Sequence, residues 1–234
     1  MTLPGMAAAY PAFRPVADHA ILVEFGDTIG HAVHDEVLRL DAALSPSSVP
    51  GFLEAVPAYV NILVRFDPLV SDHAVVEAAL RHLIAAPGNA PRAGREREVR
   101  VCYDAELAPD LTRVAEAAGM EPEAVIAAHL AGDYRVYMYG FAPGYAYLAG
   151  VPEPIRLPRK TAPVRDVAAG SVLIAGPQCL VTTFVMPTGW WIIGRSPTRI
   201  LEGGEGDRPF LFDVGDTARF TRIDRATFEA EAAR

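Results

Sequence analysis

The sequence predicts an α+β protein: an α/β sandwich domain over residues 1–94, followed by a β-rich domain over residues 95–234. Three observations carry that reading. Before residue 90, stretches of period-two hydrophobicity alternate with stretches of helical period, as in a sheet covered by helices. From Tyr134 onward, short β-rich runs alternate with turn residues, and no convincing helix returns before the last residues. Between the two halves, residues 87–94 form a loop rich in Pro, Gly, Asn and Ala.

The elements follow in order. Residues 13–16 and 20–25 are predicted strands about an Asp18-His19 turn, and Pro15 places the first at an edge. Ile21, Val23 and Phe25 alternate as a half-buried strand requires. A helix is predicted over 29–44, where Val33, Val37, Leu40 and Leu44 make one apolar face; Thr28 is a candidate cap and Ser45-Pro46 the stop. Residues 59–66 give the clearest strand, with Val60, Ile62, Val64 and Phe66 on one face; residues 55–58 lead into it. A second helix runs from a Ser71 cap to about Ala85, burying Val76, Leu80 and Leu83.

In the second half, Val99, Val101 and Tyr103 mark a strand. Two short helices follow, over 109–118 and 122–130, each with Pro early, where its missing N–H does no harm. Strands are then predicted over 134–139, 171–175, 180–185, 190–194 and 217–223. Short strands at this spacing suggest a β-barrel or sandwich.

Composition narrows the function classes. The chain has 234 residues, and 21 basic against 29 acidic side chains give a net charge of −8. An acidic chain without a basic patch does not attract a phosphate backbone, so no nucleic-acid partner is expected. The alternating Arg95-Glu96-Arg97-Glu98 reads as a solvated edge. No run reaches the roughly 18 apolar residues of a membrane span, and the apolar run at 6–9 lacks a preceding Lys or Arg. A cytoplasmic location away from membranes is expected. Cys102 and Cys179 stand outside any C-x-x-C pair and are expected to be separate reduced thiols.

All six histidines lie before residue 130, which excludes a Ser-His-Asp or Cys-His engine, or a His-ligated metal, confined to the β-rich half. His31 and His34 stand three apart without a third ligand at a known spacing and read as a solvated helix face; no metal is expected. No P-loop occurs, nor a G-x-G-x-x-G opening a helix. Gly203-Gly204-Glu205-Gly206 is a flexible turn beside acidic residues, unsuited to phosphate.

The most informative stretch is Tyr139-Gly140-Phe141-Ala142-Pro143-Gly144-Tyr145-Ala146-Tyr147-Leu148. Pro143-Gly144 signals a turn, and the aromatics suit either a hydrophobic plug or the wall of a pocket. Just beyond it, residues 156–165 concentrate Arg159, Lys160 and Arg165, and Arg195 follows Trp190-Trp191. A guanidinium fork suits a carboxylate or carbonyl, so aromatic walls with Arg anchors would hold a small carboxylate or amide. Gln178 suits an amide. Asp166, Asp207 and Asp213 are candidate acids that nothing ranks.

These residues match a known pattern. Gly140-Phe141-Ala142-Pro143-Gly144-Tyr145-Ala146-Tyr147-Leu148 resembles the G-F-x-P-G-F-x-Y-L signature of the KipI family, also known as the B-type subunit of 5-oxoprolinase or allophanate hydrolase subunit 1. Leu157-Pro158-Arg159 resembles its L-P-R. Ala169-Gly170-Ser171-Val172 with Ile174-Ala175-Gly176 resembles its A-G-S-V-x-I-A-G, and Gly189-Trp190 with Ile193-Gly194-Arg195-Ser196-Pro197 its G-W and I-G-R-T-P. The order and spacing are the family's.

The resemblance implies a cyclophilin-like β-barrel behind the α/β sandwich. It also implies a role as the small subunit of an ATP-dependent 5-oxoprolinase, which opens 5-oxoproline to glutamate. ATP would be used by the complex, although no ATP site is evident in this chain. A larger KipA-type subunit (the C-type subunit of 5-oxoprolinase) would be the partner, with a lactam-utilisation subunit. Alternatives are a carboxyltransferase or allophanate-hydrolase part in urea metabolism, and a non-catalytic inhibitor of a sensor histidine kinase. Prolyl isomerisation rests on barrel analogy alone. Phe141, Pro143, Gly144, Tyr145, Tyr147 and Trp190 are expected to wall the site, and Arg159, Gln178 and Arg195 to hold the substrate's polar groups.

The chain departs from the pattern in places. Where the family has Q-T-G-[VI]-Y-P, this sequence reads Gln178-Cys179-Leu180-Val181-Thr182-Thr183, so Leu180 replaces a glycine and the turn there is expected to differ. Met186-Pro187-Thr188-Gly189-Trp190 replaces S-P-G-G-W, and Pro163-Val164 replaces P-R. The changes cluster where the pocket rim is expected.

Overall fold

The computed structural model describes residues 9–45, 47–87, 94–201 and 209–233. Asp207 and the Gly203-Gly206 turn lie outside the described residues. The chain divides into two compact units, Met1–Ala93 and Gly94–Arg234.

The first unit is a two-layer α/β sandwich. Strands β1 (Ala12–Val16), β2 (Ala20–Glu24), β3 (Phe52–Pro57) and β4 (Asn61–Phe66) form an antiparallel sheet in the order β1-β2-β4-β3. Helix α1 (His31–Ala43) packs on β3 and β4, and α2 (His73–Ala85) on β2. Ile62, Val64 and Phe66 alternate inward on β4, Ile21 and Val23 on β2, and Val37, Leu40, Val76 and Leu80 meet them from the helices. Each such fully buried side chain contributes about 1.5–3 kcal/mol of hydrophobic burial.

Local details differ from expectation. Asp72, not Ser71, caps α2, accepting the Val75 N–H at 2.9 Å. Gly30, not Thr28, precedes α1, with no side-chain cap. Residues 52–57 are a strand rather than a lead-in, tolerating Pro57 because β3 is an edge. His31 is exposed but His34 is fully buried beside the Val37 stripe, so the pair is not a solvated face.

The second unit holds a seven-stranded sheet. Its strands are β5 (Glu96–Val101), β6 (Tyr134–Tyr139), β7 (Ala146–Ala149), β9 (Ser171–Ala175), β10 (Gln178–Val181), β12 (Trp191–Arg195) and β13 (Thr217–Arg222). They lie in the order β12-β9-β10-β7-β6-β13-β5. β13 runs parallel to β5, and the other pairs are antiparallel. The two edge strands meet: Cys102, just past β5, bridges Arg195 at the end of β12 through reciprocal N–H···O bonds of 2.9 Å. That bridge nearly closes the sheet into a barrel. A short ribbon, β8 (Val164–Val167) with β11 (Met186–Thr188), lies outside it. Helices α3 (Leu111–Ala118) and α4 (Pro122–Leu130) pack on β12 and β13 respectively, and α5 (Arg225–Ala232) follows β13.

Strands β9, β10 and β12 are apolar on both faces, as their nearly continuous hydrophobic runs require. Val172, Ile174, Cys179, Val181 and Ile193 join α3 and α4 in the main core. Leu173, Ala175, Leu180 and Ile192 turn the other way and build a second cluster with Tyr145, Val167 and Trp190. This outward face positions the site.

The main core also buries a polar chain. The Tyr103 hydroxyl lies 2.8 Å from His129 Nδ1, and Cys179 Sγ lies 3.7 Å from His129 Nε2. Burial pushes the Tyr103 and Cys179 pKa values up and that of His129 down to about 3, so all three are neutral.

Candidate functional site

A cavity of about 180 Å³ opens on the outer face of β9 and β10. Leu173 and Leu180, opposite each other in the β9–β10 register, form its floor. Phe141, Tyr145 and Tyr147 supply one wall, and Arg159 with the 187–190 segment supplies the rest. Such a volume suits a metabolite rather than a drug-sized ligand, whose pockets run to roughly 300–1,000 Å³.

The sequence places these groups together through short elements. Gly144, at φ 73°, turns the chain between β6 and β7. Tyr147 therefore returns on β7 and meets the Trp190 ring edge-on at 5.9 Å. Phe141 sits at φ 70°, a left-handed conformation unusual for an aromatic residue, with its ring 5.6 Å from Tyr145 and 72 % exposed. The Arg159 guanidinium lies 5.5 Å from the Trp190 ring centroid, within cation–π range. No carboxylate among the described residues pairs with it. Burial raises the Tyr145 and Tyr147 pKa values, and Arg159 partly opposes this at Tyr147. Both phenols therefore stay neutral near pH 7, able to donate or accept a hydrogen bond. The cavity thus offers one cation, two neutral phenols, the Thr188 hydroxyl and apolar walls. Among its lining residues there is no carboxylate or imidazole to act as a general base.

The predicted site residues divide. Phe141, Tyr145, Tyr147, Arg159 and Trp190 share the cavity. Pro143 and Gly144 do not: the Pro143 carbonyl accepts the Thr183 hydroxyl at 2.8 Å, and a Cβ on Gly144 would meet Leu201 at 2.6 Å. That turn faces its neighbouring loops rather than the cavity. Gln178 sits at the β9–β10 turn, one step beyond the lining.

Arg195 is elsewhere. It ends β12, four residues from Trp191, or about 13 Å along a strand. Its Nε–H donates to the Ala169 carbonyl at 3.1 Å, and its guanidinium lies 6.0 Å from the Phe228 ring centroid, beside a separate cavity of about 480 Å³. The Ala169-Gly170-Ser171 and Arg195-Ser196-Pro197 motifs interlock there. The Ser196 N–H donates to the Gly170 carbonyl at 2.7 Å, and the Gly170 N–H to Thr182 at 2.7 Å. These two motifs thus meet at the wall of the second cavity, apart from the aromatic one.

Of the candidate acids, Asp166 is exposed on β8 at φ 54°, and Asp213 donates its N–H to Asp216 at 2.9 Å; neither lines the aromatic cavity. Lys160, predicted only as part of a basic segment, is buried against Asp110. Leu180, where the family pattern has glycine, is mid-strand rather than in a turn and places a side chain on the cavity floor. Leu173 and Asp110 carried no sequence signal beyond their places in ordinary strand and helix patterns, and Thr188, marked only as a departure from the family's S-P-G-G-W, does line the cavity. Among the described residues no group of three or more His, Cys, Asp or Glu side chains is placed to hold a metal, and no helix is long and apolar enough to cross a membrane.

Residues 11–212 match the family model described as carboxyltransferase domain, subdomain C and D. A protein of Bacillus subtilis (strain 168) named as the B-type subunit of 5-oxoprolinase is 35 % identical over 229 residues, covering 92 % of this chain and 94 % of the relative. Another of that name, from Escherichia coli O157:H7, is 31 % identical over 208 residues, covering 88 % of this chain and 93 % of the relative. The crystal structure of TTHA0988 superposes with a TM-score of 0.77 at 32 % identity over 88 % of this chain; the chain spans 40 % of that longer protein. The chain belongs to the carboxyltransferase-domain family, subdomain C and D, together with the proteins named as B-type subunits of 5-oxoprolinase.

Proposed function

We propose that this chain is the B-type subunit of an ATP-dependent 5-oxoprolinase and that the aromatic cavity receives 5-oxoproline. The observation that carries the reading is Arg159, a guanidinium without a carboxylate partner among the described residues, set over Trp190 in a cavity of metabolite size. Arg159 takes the substrate carboxylate, Tyr145 and Tyr147 hydrogen-bond the lactam, and Trp190 and Phe141 cover the ring. The relatives' names support the substrate.

No lining residue of the cavity is a carboxylate or imidazole; on this reading the chain acts with partners, a larger KipA-type subunit and a lactam-utilisation subunit, with ATP consumed by the assembly. The test is co-expression with both partners and an assay of ATP turnover. The reading expects turnover stimulated by 5-oxoproline and lost in Arg159→Met. A stable complex without that stimulation overturns it.

The family model's description, a carboxyltransferase domain, supports a second reading, carboxyl transfer, for which urea metabolism is the expected setting. Stimulation by urea or allophanate instead of 5-oxoproline would establish it. Binding to a sensor histidine kinase in place of the large subunit would support a regulatory role.

A further inference from the structure

Asp110 occupies the N-cap of α3, where an aspartate side chain ordinarily accepts the helix's free N–H groups. Here it makes no such bond. Its Oδ2 instead accepts the Ile192 N–H at 2.8 Å and pairs with the Lys160 ammonium, while its own N–H donates to the Ile192 carbonyl at 3.0 Å. The pair is withdrawn from water, with side-chain exposures of 7 % for Lys160 and 9 % for Asp110. Such a pair is weak ground for stability, because desolvating two charges offsets much of their attraction.

Its placement shows what it does supply. Segment 158–160 is fastened to the start of β12 on both sides of Arg159. The Trp191 indole N–H donates to the Pro158 carbonyl at 2.8 Å, and the Lys160 N–H donates to the Gly189 carbonyl at 2.7 Å. The Lys160 ammonium also lies 5.5 Å from the Trp191 ring centroid. Arg159, between these anchors, is the one residue of the segment that reaches the cavity.

We propose that Asp110 and Lys160 are positioning residues of the aromatic cavity: the buried pair fixes segment 158–160 against β12 and so holds the Arg159 guanidinium over Trp190, preorganised for a ligand carboxylate. The inference rests on the reading that Arg159 takes that carboxylate. Neither positioning residue touches the ligand. Their effect passes through Arg159, and preorganisation of this kind strengthens binding by removing the cost of ordering a long cation.

The experiment compares the full chain with Lys160→Met, Asp110→Asn and the double variant. Lys160→Met alone leaves a buried unpaired carboxylate and lowers the thermal midpoint. The double variant removes both charges and keeps an oxygen for the Ile192 N–H, so its midpoint returns to that of the wild type. Titrated with L-5-oxoproline, the double variant still binds at least about tenfold more weakly, because misplaced recognition groups lose binding even in a sound fold. In the unliganded protein its Arg159 Nε–H and Trp190 indole NMR signals move or broaden. Wild-type affinity with both signals unmoved overturns the proposal. If the wild type does not bind L-5-oxoproline, the carboxylate reading fails. The two NMR signals then decide positioning alone: moved signals support it and unmoved signals overturn it.

Discussion

Arg159 and Trp190 form a cation–π pair, with 5.5 Å between the guanidinium carbon and the ring centroid, on the wall of a cavity whose other residues carry no opposing charge. A ligand carboxylate arriving at Arg159 changes the field on the Trp190 indole. L-5-oxoproline is therefore expected to alter tryptophan emission in the wild type and not in Trp190→Phe, where only Trp191 emits. An unchanged wild-type spectrum at saturating ligand would count against the placement.

Phe141 combines a left-handed backbone with a ring 72 % exposed. The conformation costs about 1–3 kcal/mol, and little burial within this chain offsets it. Phe141→Asn, which tolerates that backbone, is expected to leave the denaturant midpoint unchanged or slightly raised. A buried Phe cut to Ala would instead cost about 3–5 kcal/mol. The same variant is expected to weaken L-5-oxoproline binding, read in the same titration.

His129 sets an acid limit on stability. Burial holds its pKa at about 3, below the ordinary 6.5. The unfolded chain takes up a proton as pH falls through 6.5, while the folded chain does so only near 3. Its contribution is thus fully present above pH 6.5 and is lost as pH falls, by up to about 1.4 kcal/mol per unit. Urea unfolding between pH 7 and pH 4 checks this: the midpoint falls steeply in the wild type and less so in His129→Gln.

The Gly170 and Arg195 motifs are predicted to matter for folding, not binding. A Cβ on Gly170 would stand 2.4 Å from the Ser196 carbonyl oxygen, at φ 80°. Gly170→Ala is expected to cost at least about 2 kcal/mol through clash and backbone strain, seen as a lowered thermal midpoint. Arg195→Met is expected to lower the midpoint while leaving L-5-oxoproline affinity within about twofold, since it removes no group from the aromatic cavity.

The sequence showed the α/β sandwich because its long elements carry clean periods: Ile62, Val64 and Phe66 on β4, Val76 and Leu80 on α2. In the second half the strand spacing left barrel or sandwich open, and the family resemblance implied the barrel. It hid the short strands. β7 and β8 have only four residues each and β11 three, at or below the shortest run in which a period-two pattern declares itself. At the site, Arg159 and the aromatics were legible because the β6–β7 turn and the neighbouring Leu157-Pro158-Arg159 segment converge on one sheet face. Arg195 stands beside the other cavity, which the sequence could not show because motif order does not say which end of a strand a residue occupies. Asp110 was silent because its contacts with Ile192 and Lys160 span 82 and 50 residues.

The most direct test is calorimetric titration of L-5-oxoproline into the full chain carrying either Arg159 or Met at that position. A charge-assisted contact of about 1.5–3 kcal/mol predicts saturable binding in the wild type and a loss of roughly ten- to a hundredfold in Arg159→Met, with the thermal midpoint unchanged. Equal affinity in the two proteins would contradict the assignment of the cavity to a carboxylate ligand.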